Sequence, residues 1–268
     1  MTTPKSASRP QAALTAAVPV QAPPARRKRL SVLHHIARQF GGPSGPIGHL
    51  VTGKLARGNA SFNCWLVHQL SIVVPPPATV IEIGCGPGIA LRELLTAYPA
   101  ASVVGVDRSP VVLKSARRRN AMAIASGRLT LVTGDLENAA GYAPADLVLA
   151  CHVLYFWADP VSELRHINDI LPPSGYVALG YQLRQHMPPI AQRTFSQEGF
   201  PLYDSDEQVA LVLQRAGFTP PKIRVFGDPA HPGGRLALAT PAPGRQAGAK
   251  RRHTAAPNTR ICAWNGPC

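Results

Sequence analysis

The sequence predicts a doubly wound α/β domain: a mostly parallel sheet of seven strands, helices on both faces, and a helical cap in front. Three observations lead there. From residue 79 onward, short apolar runs alternate with segments of helical period, which implies a parallel sheet covered on both faces. The last two runs, Lys222–Phe226 and Arg235–Ala239, have no helix between them and must pair antiparallel. Pro75-Pro76-Pro77 separates all of this from an earlier stretch that reads as helix alone.

The elements follow in order. Leu33, Ile36, Ala37 and Phe40 fall at i, i+3, i+4 and i+7, one helical face, stopped by Gly41-Gly42-Pro43. A second helix is expected over Leu50–Ala56 and a third over Phe62–Leu70, with Phe62, Trp65, Leu66 and Leu70 on one side. Strands are expected at Thr79–Ile83, Ser102–Val106, Leu129–Val132, Asp146–Ala150 and Tyr176–Tyr181. Helices are expected at Ile89–Ala97 and Val111–Ala125, on the stripe Val161, Leu164, Ile167 and Ile170, and over 206–216 before Gly217.

The charge is uneven. Net charge is +14, yet residues 1–81 hold nine Lys/Arg and residues 241–268 hold five, neither with an acid. The stretch between is formally neutral, which argues against an enzyme whose active face grips nucleic acid. Residues 1–29 and 241–268 read as disordered basic tails, flanking a cap at 30–74 and a main domain at 75–240. The first tail lacks the apolar core of a secretory signal, although an organellar transit peptide shares its composition. No apolar run approaches the roughly 20 residues that span a bilayer. Five cysteines without paired spacing suggest neither a disulfide framework nor a metal site, and a cytoplasmic setting is the simpler reading.

The chemistry concentrates at strand ends. Gly84-Cys85-Gly86-Pro87-Gly88 follows the first strand and opens a helix; glycines there let the backbone turn sharply and approach a ligand. Alone, this is equally a tight strand-to-helix turn. Asp107 ends the second strand, where an acid accepts from ribose hydroxyls or caps the next helix. Thr133-Gly134-Asp135-Leu136 puts another acid at the third strand end, so three successive strands present polar groups on one edge. The nicotinamide pattern Gly-x-Gly-x-x-Gly fits less well, since from Gly84 its last position falls on Ile89.

Val80-Ile-Glu-Ile-Gly-Cys-Gly-Pro-Gly88, Val103-Val-Gly-Val-Asp107 and Thr133-Gly-Asp-Leu136 resemble the S-adenosylmethionine (SAM) binding motifs of class I methyltransferases. His152-Val-Leu-Tyr-Phe-Trp157 and Ile170-Leu-Pro-Pro-Ser-Gly175 resemble later motifs of the small-molecule branch called type 11 or UbiE-like, whose second motif usually reads Leu-Lys/Arg-Pro-Gly-Gly. The resemblance spans about residues 38–240. It implies a Rossmann-like fold and transfer of a methyl group from SAM, leaving S-adenosylhomocysteine (SAH). It also implies site roles. Gly84, Cys85, Gly86 and Gly88 would pass the methionine part, with Glu82 supporting the loop. Asp107 would hold the ribose, Arg108 would lie over the adenine, and Asp135 would accept from its amino group beside Leu136. Cys151 and His152 would face the methyl group and the acceptor.

His152 is the candidate general base for a hydroxyl acceptor, or else a polar residue bonded at a strand end. Tyr155 and Trp157 could meet a cation through their ring faces, or could be core. The nucleic-acid motif Asp/Asn-Pro-Pro-Tyr/Phe is replaced by Cys151-His-Val-Leu, which favours a small organic acceptor. The rivals are an RNA or protein methyltransferase docking through the tails, and a SAM-binding module without catalysis. Acceptor choice is expected to lie with residues 30–70 and 182–204. No metal is expected.

Overall fold

The computed structural model describes residues 45–228 and 231–244. The expected helix at Leu33–Phe40, the first tail and residues 245–268 of the second lie outside the described residues, whereas the head of the second tail is ordered: Pro241 bridges to Phe218, and the Ala242 N–H donates to the Gly217 carbonyl at 2.9 Å.

One long helix, α1 (Gly45–Val73), occupies the cap. It runs through the place where two helices were expected, because Arg57-Gly58-Asn59 does not break the backbone hydrogen-bond ladder. A single interior glycine costs a helix only about 1 kcal/mol. The alternating region then gives β1 (Thr79–Ile83), α2 (Ile89–Ala97), β2 (Ser102–Asp107), α3 (Pro110–Arg119), α4 (Ala121–Ala125), β3 (Leu129–Thr133) and α5 (Leu136–Ala139). It continues with β4 (Leu147–Cys151), α6 (Pro160–Ile170), β5 (Tyr176–Tyr181), α7 (Pro189–Glu198), α8 (Asp206–Arg215), β6 (Lys222–Asp228) and β7 (His231–Ala239).

Local chemistry explains the boundaries. Ser109 caps α3 by accepting from the Val112 N–H, Pro110 takes the first helical position, and Arg117, Arg118 and Arg119 sit at the negative end of the dipole. Asp159 and Pro160 open α6 in the same way, Asp159 accepting from Val161 and Ser162 at 3.1 Å. The helix expected over Val111–Ala125 is divided at Asn120. Its side-chain amide donates to the Ala116 carbonyl at 3.0 Å and to the Gly88 carbonyl at 3.1 Å. Asn120 thus ties the end of α3 to the start of α2.

The sheet order is β3-β2-β1-β4-β5-β7-β6, with β7 antiparallel to both of its neighbours. Strand order reverses between β1 and β4. In open α/β sheets that reversal leaves a crevice beyond the carboxyl ends of the strands, where ligands bind. Successive residues feed opposite faces: Val80, Leu147 and Leu149 join the core layer under α1 and α2, while Ile81, Ile83 and Val148 join the layer under α6 and α8. Each fully buried side chain of this size contributes about 1.5–3 kcal/mol. The outer strand β6 is largely exposed and carries Lys222, Arg224 and Asp228, which discourages edge-to-edge pairing.

Candidate active site

The loop after β1 descends from three backbone conformations. Gly84, Gly86 and Gly88 all have positive φ, at 65°, 54° and 75°. Their reasons for being glycine differ. A Cβ on Gly84 would lie 2.5 Å from Val153 Cγ2, and one on Gly88 would lie 2.6 Å from Asn120 Nδ2 and 3.1 Å from Ala116 Cα. Both are excluded by protein packing. A Cβ on Gly86 would meet nothing nearer than the Gly84 carbonyl oxygen, at 4.0 Å. Gly86 alone turns its bare face to open space.

Asp107 holds this loop in place. Its Oδ2 accepts from the Gly86 N–H at 2.9 Å and its Oδ1 from the Ser109 N–H at 2.8 Å. Burial raises its carboxyl from the ordinary range, and the two backbone donors oppose that rise. Each oxygen keeps a further lone pair for a ligand hydroxyl. Glu82 lies beneath, 3% exposed, and its Oε2 has no hydrogen-bond partner. Burial first, and the neighbouring Asp107 second, push its carboxyl well up.

These groups form one wall of a cleft of about 1170 Å³, open mouth included, at the β1/β4 reversal point. Glu82, Gly84, Cys85, Gly86, Asp107 and Arg108 line it, as do Asp135 and Leu136 from the end of β3. Gly88 does not appear in the lining; its place is the packing of α2 on α3. Asp135 has a second task as N-cap of α5, accepting from the Glu137 N–H at 3.2 Å. Arg108 lies 3.7 Å from it, and the pair is largely exposed. Such exposed pairs contribute little to stability.

The opposite wall follows β4. Cys151 donates its thiol to Asn63 Oδ1 at 3.1 Å. Burial, then Glu82, hold that thiol well above its usual range, so it is a neutral donor and not a thiolate nucleophile. His152 has φ 55°, the one non-glycine residue with positive φ among the described residues. Backbone strain of this kind, worth about 1–3 kcal/mol, concentrates at functional sites. The His152 ring sits between Phe62, at 5.1 Å between centroids, and Tyr155, at 6.4 Å. Burial lowers its pKa to about 4, so the imidazole is neutral at physiological pH.

Tyr155 is placed differently from His152. It is 3% exposed and absent from the cleft lining. Its hydroxyl donates to the Gln182 carbonyl at 3.1 Å and accepts from the Gln182 N–H. The Tyr155 hydroxyl thereby pins the loop that leaves β5. Its neighbours Phe156 and Trp157 line the cleft instead.

Sequence reasoning missed Asn59, Asn63 and Glu163, which also line it. Asn59 and Asn63 are four apart, one face of α1, and that i, i+4 polar pair beside Phe62 and Leu66 was a visible signal. Glu163, in the first turn of α6, gave none beyond an ordinary acidic helix start. Residues 182–204 were expected over the cofactor edge, and none of the described side chains among them lines the cleft. They act through Phe156, which Phe195 and Phe200 clasp edge-on at 5.4 and 5.5 Å.

Residues 81–177 match the family model of a methyltransferase domain. Over that stretch, which is under half of the chain, the sequence is similar to methyltransferase domains. It is 36% identical over 102 residues to trans-aconitate 2-methyltransferase of Azoarcus sp. (strain BH72), 38% of each chain being covered. The chain thus spans well under half the length of that relative. The fold matches a putative O-methyltransferase of Nostoc punctiforme, with a TM-score of 0.61, 18% identity, and 78% of this chain and 67% of the other covered. It also matches human N-acetylserotonin methyltransferase in complex with SAM, with a TM-score of 0.56, 17% identity, and coverage of 82% and 60%. The seven-stranded sheet and its reversal point are those of the SAM-binding methyltransferase fold.

Proposed function

We propose that this protein transfers the methyl group of SAM to a small organic acceptor. The observation that carries the reading is the Asp107–Gly86 contact: a half-buried carboxylate holding the main chain of a glycine turn whose bare face opens into the cleft. The residues fit the cofactor. A carboxylate with spare lone pairs suits ribose hydroxyls, and an unpartnered buried acid at Glu82 suits a positively charged end. Gly84, Cys85 and Gly86 would hold the methionine part, with Arg108, Asp135 and Leu136 around the base.

When bound, SAM supplies a methyl group on a positively charged sulfur, so the hard chemistry belongs to the cofactor. The protein aligns an acceptor with that methyl group and excludes water, and proximity is the main lever. The neutral His152 imidazole takes the acceptor's proton as the acceptor oxygen bonds to carbon. The electron pair of the broken carbon–sulfur bond stays with sulfur. Cys151, a thiol donor to Asn63, orients the α1 side of the cleft and takes no covalent part. Tyr155 positions the loop after β5.

No helix among the described residues is long and apolar enough to cross a membrane. Cys64, Cys85 and Cys151 are free thiols, in keeping with the cytoplasmic placement included in this reading.

Calorimetry with SAH, followed by labelled-methyl transfer from SAM into a metabolite extract, tests the proposal. Micromolar SAH binding and a labelled small product are expected. A folded protein that binds neither SAM nor SAH overturns it.

A further inference from the structure

The acceptor side of the cleft has a charge pattern of its own. On that side the described lining adds one charged side chain, Glu163, an acid; Glu82, Asp107, Asp135 and the one permanent cation, Arg108, stand on the wall assigned to the cofactor. That guanidinium is already faced by Asp135 at 3.7 Å. His152 adds no positive charge, because burial keeps its ring neutral. Recognition of a carboxylate calls for a guanidinium fork or an ammonium aimed at it, and the described lining of the cleft holds no further cation for that task.

Shape and polarity point the same way. Phe156, half-buried, and Trp157, 5% exposed, stand in the cleft lining, and Phe156 is held by two edge-on contacts, to Phe195 at 74° and Phe200 at 83°. A wall clamped in this way is preorganised, so an aromatic guest stacks on it without first ordering it. The amides of Asn59 and Asn63 face the cleft from α1 and offer neutral donors and acceptors.

Resting on the methyltransferase reading above, we infer that the acceptor is an uncharged aromatic hydroxyl compound, a phenol, and not a carboxylate. The phenol ring packs on Phe156 and Trp157, its other polar substituents bond to Asn59 and Asn63, and its hydroxyl lies within reach of His152. On methyl transfer, the phenol oxygen gains the carbon, sulfur keeps the electron pair of the broken bond, and the hydroxyl proton goes to His152. This separates the protein from its 36%-identical relative, whose named acceptor, trans-aconitate, is a tricarboxylate.

The test uses the full chain saturated with SAH, titrated by calorimetry with catechol, 1-naphthol and trans-aconitate, alongside labelled-methyl assays with the same three compounds and SAM. Binding of a phenol about 100-fold or more tighter than trans-aconitate is expected, the scale of leaving a carboxylate unpaired in a partly desolvated site. Trp157 fluorescence should be quenched by the phenols, and the response lost in Trp157→Phe while SAH still binds. Phe156→Leu should weaken the phenols about tenfold and leave SAH affinity in place. Glu163→Arg should narrow the gap by improving trans-aconitate. Equal or tighter binding, or faster methylation, of trans-aconitate overturns the inference. So does SAH binding with neither phenol bound. Failure to bind SAH is a different result, and it removes the methyltransferase reading itself.

Discussion

The two walls of the cleft work by different means. The wall after β1, β2 and β3 recognises through main chain: a glycine turn, the Gly86 N–H held by Asp107, and acids placed where strands end. The wall after β4 is built from side chains drawn from distant parts of the chain: Asn59 and Asn63 from α1, His152, Val153, Phe156 and Trp157 from the β4 loop, and Glu163 from α6. A main-chain site is built from neighbours in sequence and tolerates little variation. A side-chain site can be rewritten residue by residue while the first wall stays intact. On the proposed reading, the first wall is the cofactor half of the sheet edge and the second is the acceptor half.

The largest expected effect separates the halves outright. Asp107→Ala removes the acceptor of two backbone N–H groups. SAH affinity should fall about 100-fold, since one lost charge-assisted bond is worth about 1.5–3 kcal/mol. An unchanged dissociation constant would move the adenosine elsewhere. His152→Asn, a residue that tolerates positive φ, should lower kcat by about 100-fold or more. SAH affinity should stay within a few-fold. If kcat survives, the imidazole is structural.

The glycines sharpen the contrast within the first wall. Gly86→Ala should weaken SAH binding at a stability cost of only about 1–2 kcal/mol for its left-handed backbone. Gly88→Ala meets Asn120 and the backbone of α3, so its thermal midpoint should fall further than that of Gly86→Ala. Equal SAH affinities for the two variants would contradict the assignment of Gly86 to the cleft and Gly88 to packing.

The pH response distinguishes the walls again. The folded His152 pKa of about 4 lies below its free value of 6.5. Between those values the unfolded chain binds the proton and the folded chain does not. Stability from this group is therefore complete above pH 6.5 and lost as pH falls toward 4. Glu82 and Asp107 have raised carboxyls, so their contributions run the other way and decline as pH rises above the ordinary carboxylate range. Thermal melts of the wild type minus those of His152→Asn isolate the imidazole, and that difference should fall on acidification from pH 6.5 toward 4, the wild type losing stability that the variant keeps. A flat difference refutes its burial as a neutral base. Smallest of all, Tyr155→Phe should cost about 1 kcal/mol in stability through the lost Gln182 bonds and leave kcat nearly unchanged. A large kcat loss at intact stability would return Tyr155 to the cleft.

Much of the first wall was readable in advance. Glycine spacing, Asp107 at a strand end and the alternation of strand with helix are local signals, because each depends on residues within one turn or one strand. Helix division was less readable. The Gly58 region looked like a break and was not, whereas Asn120 looked helical and was the break, because its side chain captures the Gly88 carbonyl 32 positions away. The second wall was legible only in part: His152 and Cys151 stood at a recognisable strand end, yet nothing local placed Asn63 against Cys151 across 88 positions.

By itself, then, the sequence determined the sheet, its reversal point and the acids along one edge, since these follow from hydrophobic period and backbone stereochemistry. Tertiary structure alone decided which glycine faces the cleft, that Tyr155 turns inward while Phe156 and Trp157 line the wall, and that α1 lends two amides. Those outcomes depend on contacts between segments far apart in the chain, where packing and burial, and not local preference, select the arrangement.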